Sequence, residues 1–194
     1  MDRGRLEAFS DGVLAIVITI MVLELPRPES GDWGALVDTD HLPATLVAYV
    51  LSFVYVGIYW NNHHHLLKTT HHVTASIMWV NLLLLFWLTL LPFTTGWVGE
   101  YPADVAPTVA YNVVLLGAAM SYFLLQSRIL AAHGGKDSDL GQAIGRDWKG
   151  WASLTLYLVA LPAAFVSPLV SQVLFVVVAL IWFIPDRRLE PVAH

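Results

Sequence analysis

Six blocks of apolar residues, each closed by turn or interface residues, leave this chain few folds to choose from. They run over about 8–25, 42–61, 73–95, 105–130, 150–166 and 168–184. The hydrocarbon core of a bilayer takes about 20 apolar helical residues to cross. The breaks fall at Pro26-Arg27-Pro28, the histidine-rich stretch 63–72, Gly96 to Pro107, Gly134-Gly135 and Ser167-Pro168, all strong punctuators of regular structure. Unpaired backbone is costly in lipid, so spans are helices or closed barrels, and the alternating pattern of a barrel strand is absent. The expected fold class is therefore all-α: a polytopic integral membrane protein of six helices forming one domain over residues 1–194. The last two blocks are short and tightly joined, which predicts a helical hairpin. Composition agrees, with 57% hydrophobic and 13% charged residues and a mean hydropathy of +0.63, against about 45–50% and 25% in soluble domains. Six spans leave no room for a soluble enzyme domain. The chain has no cysteine, which excludes disulfides and thiolate metal sites.

Charge sets the expected orientation. With the N-terminus inside, the inner segments hold Arg3, Arg5, Lys68, Arg128, Lys136, Arg146, Lys149, Arg187 and Arg188, and the outer segments hold only Arg27. That asymmetry predicts both termini in the cytoplasm and a multi-pass protein of the inner (plasma) membrane. Glu24, Glu29, Asp32, Asp38, Asp40, Glu100 and Asp104 then face outward. An acidic outer mouth concentrates cations, although acids also collect wherever bases are depleted. Arg3 and Arg5 before an apolar run also resemble a signal peptide, but no small-residue cleavage site follows, and the run is expected to stay as the first span.

The first span has a polar start. Arg5-Leu6-Glu7-Ala8-Phe9-Ser10-Asp11 leads into Gly12 and an apolar run to Leu23. An intramembrane carboxylate is expensive unless paired or wetted, so Asp11 reads as functional by default; the alternative is that Ser10 and Asp11 simply suit the positive end of the helix dipole. Residues three and four apart share a helix face, which places Phe9, Gly12, Ile16, Thr19, Ile20 and Leu23 on one stripe. Such a stripe packs on a helix of its own chain, or, if several copies surround an axis, becomes stacked rings whose narrow apolar layer gates ions by dewetting.

Arg5-x-x-x-Phe9-Ser10-Asp11, followed by Gly12 and the Ala15-Ile16…Thr19 spacing, closely resembles the signature of the transmembrane protein 175 family, the endolysosomal and prokaryotic potassium channels. The six-span topology agrees over the whole chain. The resemblance implies a pore lined by the first helix, with Ile16 at the hydrophobic constriction, Thr19 as a polar ring one turn further out, and Ile20 and Leu23 continuing the lining. It implies that Arg5, Phe9, Ser10 and Asp11 tie this helix to its neighbours. Animal members carry the six-helix unit twice. Here the motif occurs once, so the resemblance implies a homotetramer, with K+ and other monovalent cations as permeant ions.

Tyr59-Trp60-Asn61-Asn62-His63-His64-His65 and Trp79-Val80-Asn81 fall at the depth of Ser10 and Asp11. A buried carboxylate needs donors, and Trp60, a histidine such as His64, and Asn81 are expected to form a network with it. The family's Tyr-Trp-x-x-His-His and Trp-x-Asn-Leu patterns look similar. None of the histidines at 63, 64, 65, 71 and 72 lies three or four residues from another, so no metal site is expected. A pH-sensitive inner ring is the better special role, and ordinary interfacial histidines are the plainer reading. Thr94-Thr95-Gly96-Trp97-Val98-Gly99 has the glycine spacing of a potassium filter but no room for a pore helix, and reads as a turn. The tryptophans fit interfacial anchoring against lipid. No phosphate loop, nucleophile elbow or zinc-protease helix is present, nor a basic cluster for nucleic acid, and no cofactor is expected. Together these residues point to a potassium-selective cation channel and not an enzyme. A proton-coupled transporter using Asp11 and the histidines, or a non-conducting scaffold, are the alternatives.

Overall fold

The structure is a computed structural model that describes residues 2–70, 72–138, 141–142, 145 and 147–183. His71, Arg146, Ile184, Arg187 and Arg188 lie outside the described residues. Every regular element among those described is helical.

Helix α1 (Arg3–Ile20) runs directly into a 3-10 turn, Met21–Glu24. Side chains three apart eclipse in 3-10 geometry, which stacks Leu23 over Ile20 and Glu24 over the buried Met21. A short helix α2 (Ala35–Asp38) interrupts the loop that follows. Helix α3 (Leu42–Lys68) has 27 residues and a proline in its first turn, where the missing N–H costs nothing. It does not end near Asn61 as the apolar pattern predicts. The polar run 61–65 is still helical: His63 and His64 find partners on α4 and α1, and Asn62 donates back to the Ile58 carbonyl of its own helix.

The third span is broken in two. Helix α4 (Ala75–Thr89) starts on Thr74, whose Oγ1 accepts the Ile77 amide at 3.2 Å, and only Leu90 separates it from helix α5 (Leu91–Glu100). Pro92 supplies no N–H to the ladder at the junction. The stretch 94–99 is therefore helix, which corrects the expectation of a turn. Its glycines serve close packing: a side chain at Gly99 would run into the Thr45 backbone of α3. The loop before the fourth span shrinks accordingly to Tyr101–Asp104.

Helix α6 (Val105–Ala132) ends where Gly134 and Gly135 take φ of 92° and 82°, the left-handed region that suits a helix C-terminus. Helices α7 (Trp148–Val166) and α8 (Pro168–Phe183) form the predicted hairpin. Ser171 donates to the Ala160 carbonyl at 2.6 Å and Trp182 to Ser153 at 2.8 Å. Among the described residues, five segments are long and apolar enough to cross a membrane: Arg3–Glu24, Leu42–Lys68, Ala75–Glu100, Val105–Ala132 and Trp148–Val166; Pro168–Phe183 is a shorter apolar helix.

The buried core runs from Leu6, Leu14, Val17 and Met21 through Tyr55, Leu84, Leu88 and Leu115 to Phe175. Helix α6 packs on α4 and α5 on one side and on α7 and α8 on the other, whereas α1 rests on α3, α4 and α5. The first helix is thus a strip at the edge of the bundle.

Candidate pore helix and its anchors

Helix α1 has two unlike faces. Leu6, Ser10, Leu14, Val17 and Met21 are buried inside the subunit. The stripe predicted from the sequence lies opposite: Phe9 is 52% exposed, Ile16 58%, Ile20 42% and Leu23 77%, and Thr19 is exposed as well. None of these side chains is wedged into its own bundle. An exposed isoleucine in a soluble protein means little. A continuous apolar stripe along one edge helix is different, because it marks a surface made for something outside the subunit. The Thr19 hydroxyl donates within the helix to the carbonyls of Ala15 at 2.8 Å and Ile16 at 3.0 Å. Its oxygen lone pairs are what the open face offers.

Two sets of polar contacts fix α1 from behind. The first is a ladder against α3, which runs antiparallel to it. Arg3 Nη1 donates to the Lys68 carbonyl at 2.9 Å, the Glu7 carboxylate meets His64 Nδ1 at 2.6 Å, and Trp60 Nε1 donates to Asp11 Oδ1 at 3.1 Å. The rungs fall every fourth residue on both helices, one face of each. The Trp60 and His64 rings stack, with centroids 6.3 Å apart and planes within 19°, so the upper two rungs brace each other.

The second set runs to α4. Asn81 donates through Nδ2 to Ser10 Oγ at 2.9 Å, and Ser10 passes its own proton to the Leu6 carbonyl at 2.9 Å. Asn81 Oδ1 lies 2.6 Å from His63 Nε2; an amide oxygen only accepts, so this pairing makes Nε2 the protonated nitrogen. All three side chains are buried, and a buried polar group in lipid needs such partners. His63 Nδ1 has none among the described residues.

The predicted network is therefore split. Trp60 does reach Asp11. Asn81 reaches Ser10 instead, and the histidine on Asn81 is His63. His64 turns to Glu7, a residue the sequence reading did not single out. Arg5 is exposed, and the tie at the foot of the helix comes from Arg3. Glu7 and Arg3 were findable: 3, 7 and 11 repeat the spacing of 60, 64 and 68, as antiparallel helices in register require. The three adjacent histidines diverge, and no group of three or more metal-binding side chains occurs among the described residues.

The comparisons decide the family. Residues 5–92, which carry every pair above except the Arg3 tie, match the family model described as endosomal/lysosomal potassium channel TMEM175. A protein named a potassium channel from Chryseobacterium sp. (strain P1-3) is 47% identical over 190 residues, covering 98% of this chain and 97% of that one. The chain belongs to the TMEM175 family. A solved structure described as a lysosomal potassium-selective channel TMEM175 homolog from Chamaesiphon Minutus superposes with a TM-score of 0.75 at 29% identity, over 95% of this chain and 97% of that one. The human relative, named an endosomal/lysosomal proton channel TMEM175, is 36% identical over 138 residues, 64% of this chain and 27% of its own. Membership in TMEM175 makes this a multi-pass membrane protein of a channel family, a class that is not enzymatic.

Proposed function

We propose that the protein is a potassium-selective channel in which four copies stand around one axis and the open face of α1 lines the path. The observation that carries this reading is the exposure of Phe9, Ile16, Thr19, Ile20 and Leu23 on a helix whose other face is buried and polar-anchored. The potassium-channel names of the bacterial relatives supply the ion. Four Ile16 side chains around an axis form an apolar layer that excludes water when narrow and passes a partly hydrated ion when slightly wider. Thr19 adds a polar layer one turn outward, and Ile20 with Leu23 extends the lining. Side chains in place of fixed carbonyls imply modest discrimination between potassium and sodium. In this arrangement α8 crosses as the sixth span and both termini lie in the cytoplasm, as the distribution of lysine and arginine favours. One motif per chain calls for four chains, a closed ring of heterologous contacts.

The test is the reversal potential of the purified protein in a planar bilayer with K+ on one side and Na+ on the other. A clear potential of potassium sign supports the reading, and a zero potential or no current opposes it. Proton flux is the competing reading, favoured by the name of the human relative; a reversal potential that follows a pH gradient at symmetric K+ would select it.

A further inference from the structure

The glycines of the long helices differ in what surrounds them. Where a Cβ would stand on Gly96, Gly99 or Gly117, atoms of Glu24, Thr45 or Trp87 already lie too close to admit one. Those three serve packing inside the subunit. Gly12 and Gly57 have no neighbour within 4 Å of that point. Gly12 belongs to the open side of α1, but Gly57 sits midway along α3, where glycine is among the costliest residues for a helix. Nothing in its own subunit uses the gap.

We propose that the gap receives Phe86 from a second copy of the chain, so that α3 of one subunit and α4 of the next form the seam of the ring. The inference rests on the four-copy reading above and names the surfaces that build it. Small residues mark helix–helix contacts in membranes because they let another chain come close. The subunit already does this within itself, where Trp87, the residue after Phe86, lies on Gly117 of α6.

Position, height and area agree. Helix α3 holds α1 through Arg3, Glu7 and Asp11, and α4 holds it through Ser10. Both helices pack on α1 but scarcely on one another, so with the open face of α1 on the axis they stand on its two flanks. In a ring, α3 of one copy then meets α4 of the next. Each flank carries an exposed apolar stripe at helical spacing. On α3 it runs through Leu46, Val50 and Phe53 to Gly57 and Trp60; on α4 and α5 it runs through Trp79, Leu83, Phe86 and Phe93. The His63–Asn81 bond and the approach of Gly99 to Thr45 fix the relative heights near both ends. Counting inward from either pair, in step along the antiparallel helices, puts Gly57 level with Phe86 and Trp87. Rotation about the membrane normal preserves height, so the neighbour's copy of Phe86, a side chain 53% exposed in its own subunit, arrives at the gap. The five half-exposed rings of the two stripes cover about 100 Å² each. With the aliphatic side chains between them, the contact comes near the roughly 1,000 Å² of a specific interface, and each copy makes it twice. Lipid covers either stripe equally well but gains nothing from a gap matched to a ring.

The chain has no native cysteine, so an introduced pair reports the contact. Gly57→Cys with Phe86→Cys, oxidised by copper phenanthroline in lipid vesicles, should give a ladder from dimer to tetramer that collapses to monomer on reduction. Either substitution alone should stay monomeric, because like faces do not meet in a heterologous ring. The second arm follows assembly in detergent by native mass spectrometry. Gly57→Leu fills the gap and should raise the concentration at half-dissociation about ten-fold, with the unfolding midpoint of the monomer no lower than in wild type. Adding Phe86→Ala removes bulk from the other side of the seam and should recover most of that loss. A lipid-facing Gly57 gives the opposite pattern: no ladder, and Gly57→Leu assembling like wild type. Either result overturns the proposal, as does a dimer formed by Phe86→Cys alone. A ladder from protein that passes no potassium current sinks the channel reading and leaves the seam standing. Potassium current from protein whose double-cysteine variant never cross-links sinks the seam alone.

Discussion

Replacing Asn81 by leucine tests how firmly α1 is fixed to the subunit. Asn81 is fully buried, and its amide serves two partners at once, Ser10 Oγ at 2.9 Å and His63 Nε2 at 2.6 Å. Leucine has a similar volume, so packing changes little, but His63 Nε2 is stranded, while Ser10 Oγ keeps only its bond to the Leu6 carbonyl. His63 cannot recover by changing tautomer, because its Nδ1 also lacks a partner among the described residues. Stranding a buried polar group costs about 1–3 kcal/mol, whereas single hydrogen bonds measured inside membranes average about 0.6 kcal/mol. The two bounds bracket a loss of about 2 kcal/mol, roughly a thirty-fold shift of the folding equilibrium. The assay is unfolding of the purified protein by a denaturing detergent in mixed micelles. Ser10→Ala supplies the cycle: it removes only the acceptor on α1, so the double variant should be less destabilised than the sum of the singles, by about 0.6–1.7 kcal/mol. A cost for Asn81→Leu below about 0.3 kcal/mol, or strict additivity with Ser10→Ala, would refute the reasoning.

Three further outcomes are expected. Ile16→Asn should wet the proposed constriction, raising potassium leak and eroding selectivity in bilayer recordings, because Ile16 lies on the open face and contributes little to the fold. The two faces of α1 should separate in stability measurements: Leu14→Ala, on the buried side, should cost about 2–5 kcal/mol in detergent unfolding, while Leu23→Ala, 77% exposed, should stay within about 0.5 kcal/mol. Gly117→Val should collapse the yield of folded protein in size-exclusion chromatography, since a Cβ there drives into the Trp87 ring of α4; adding Trp87→Leu should recover part of it.

The spans were legible because lipid admits only helices or barrels and because hydropathy alone then locates them. The stripe on the first helix was legible for the same reason, since 3.6-residue periodicity orders the faces without knowledge of any neighbour. Periodicity does not say whether a face meets its own bundle, and the burial of Leu14 and Val17 opposite the exposed Ile16 resolves that. Boundaries were read less well. Polar residues 61–65 end an apolar pattern, yet α3 continues to Lys68 because His63 and His64 are paid for by contacts on α4 and α1 that lie far away in sequence. Thr94 to Gly99 looks like a turn when glycine is weighed by propensity, but in a bundle glycine buys close approach, and Pro92 moves the break upstream. Partner choice among adjacent histidines was beyond the sequence, because successive residues on a helix differ by about 100° and only the register with α1 and α4 settles which goes where.

The central claim, that the open face of α1 meets the ion path, has a direct test because the chain has no native cysteine. Single cysteines at 14, 16, 17, 19, 20 and 23 are exposed to a water-soluble thiol reagent during current recording. The account predicts rapid block at Ile16→Cys, Thr19→Cys, Ile20→Cys and Leu23→Cys, with Leu14→Cys and Val17→Cys silent. Block at the buried pair with silence along the stripe would contradict it.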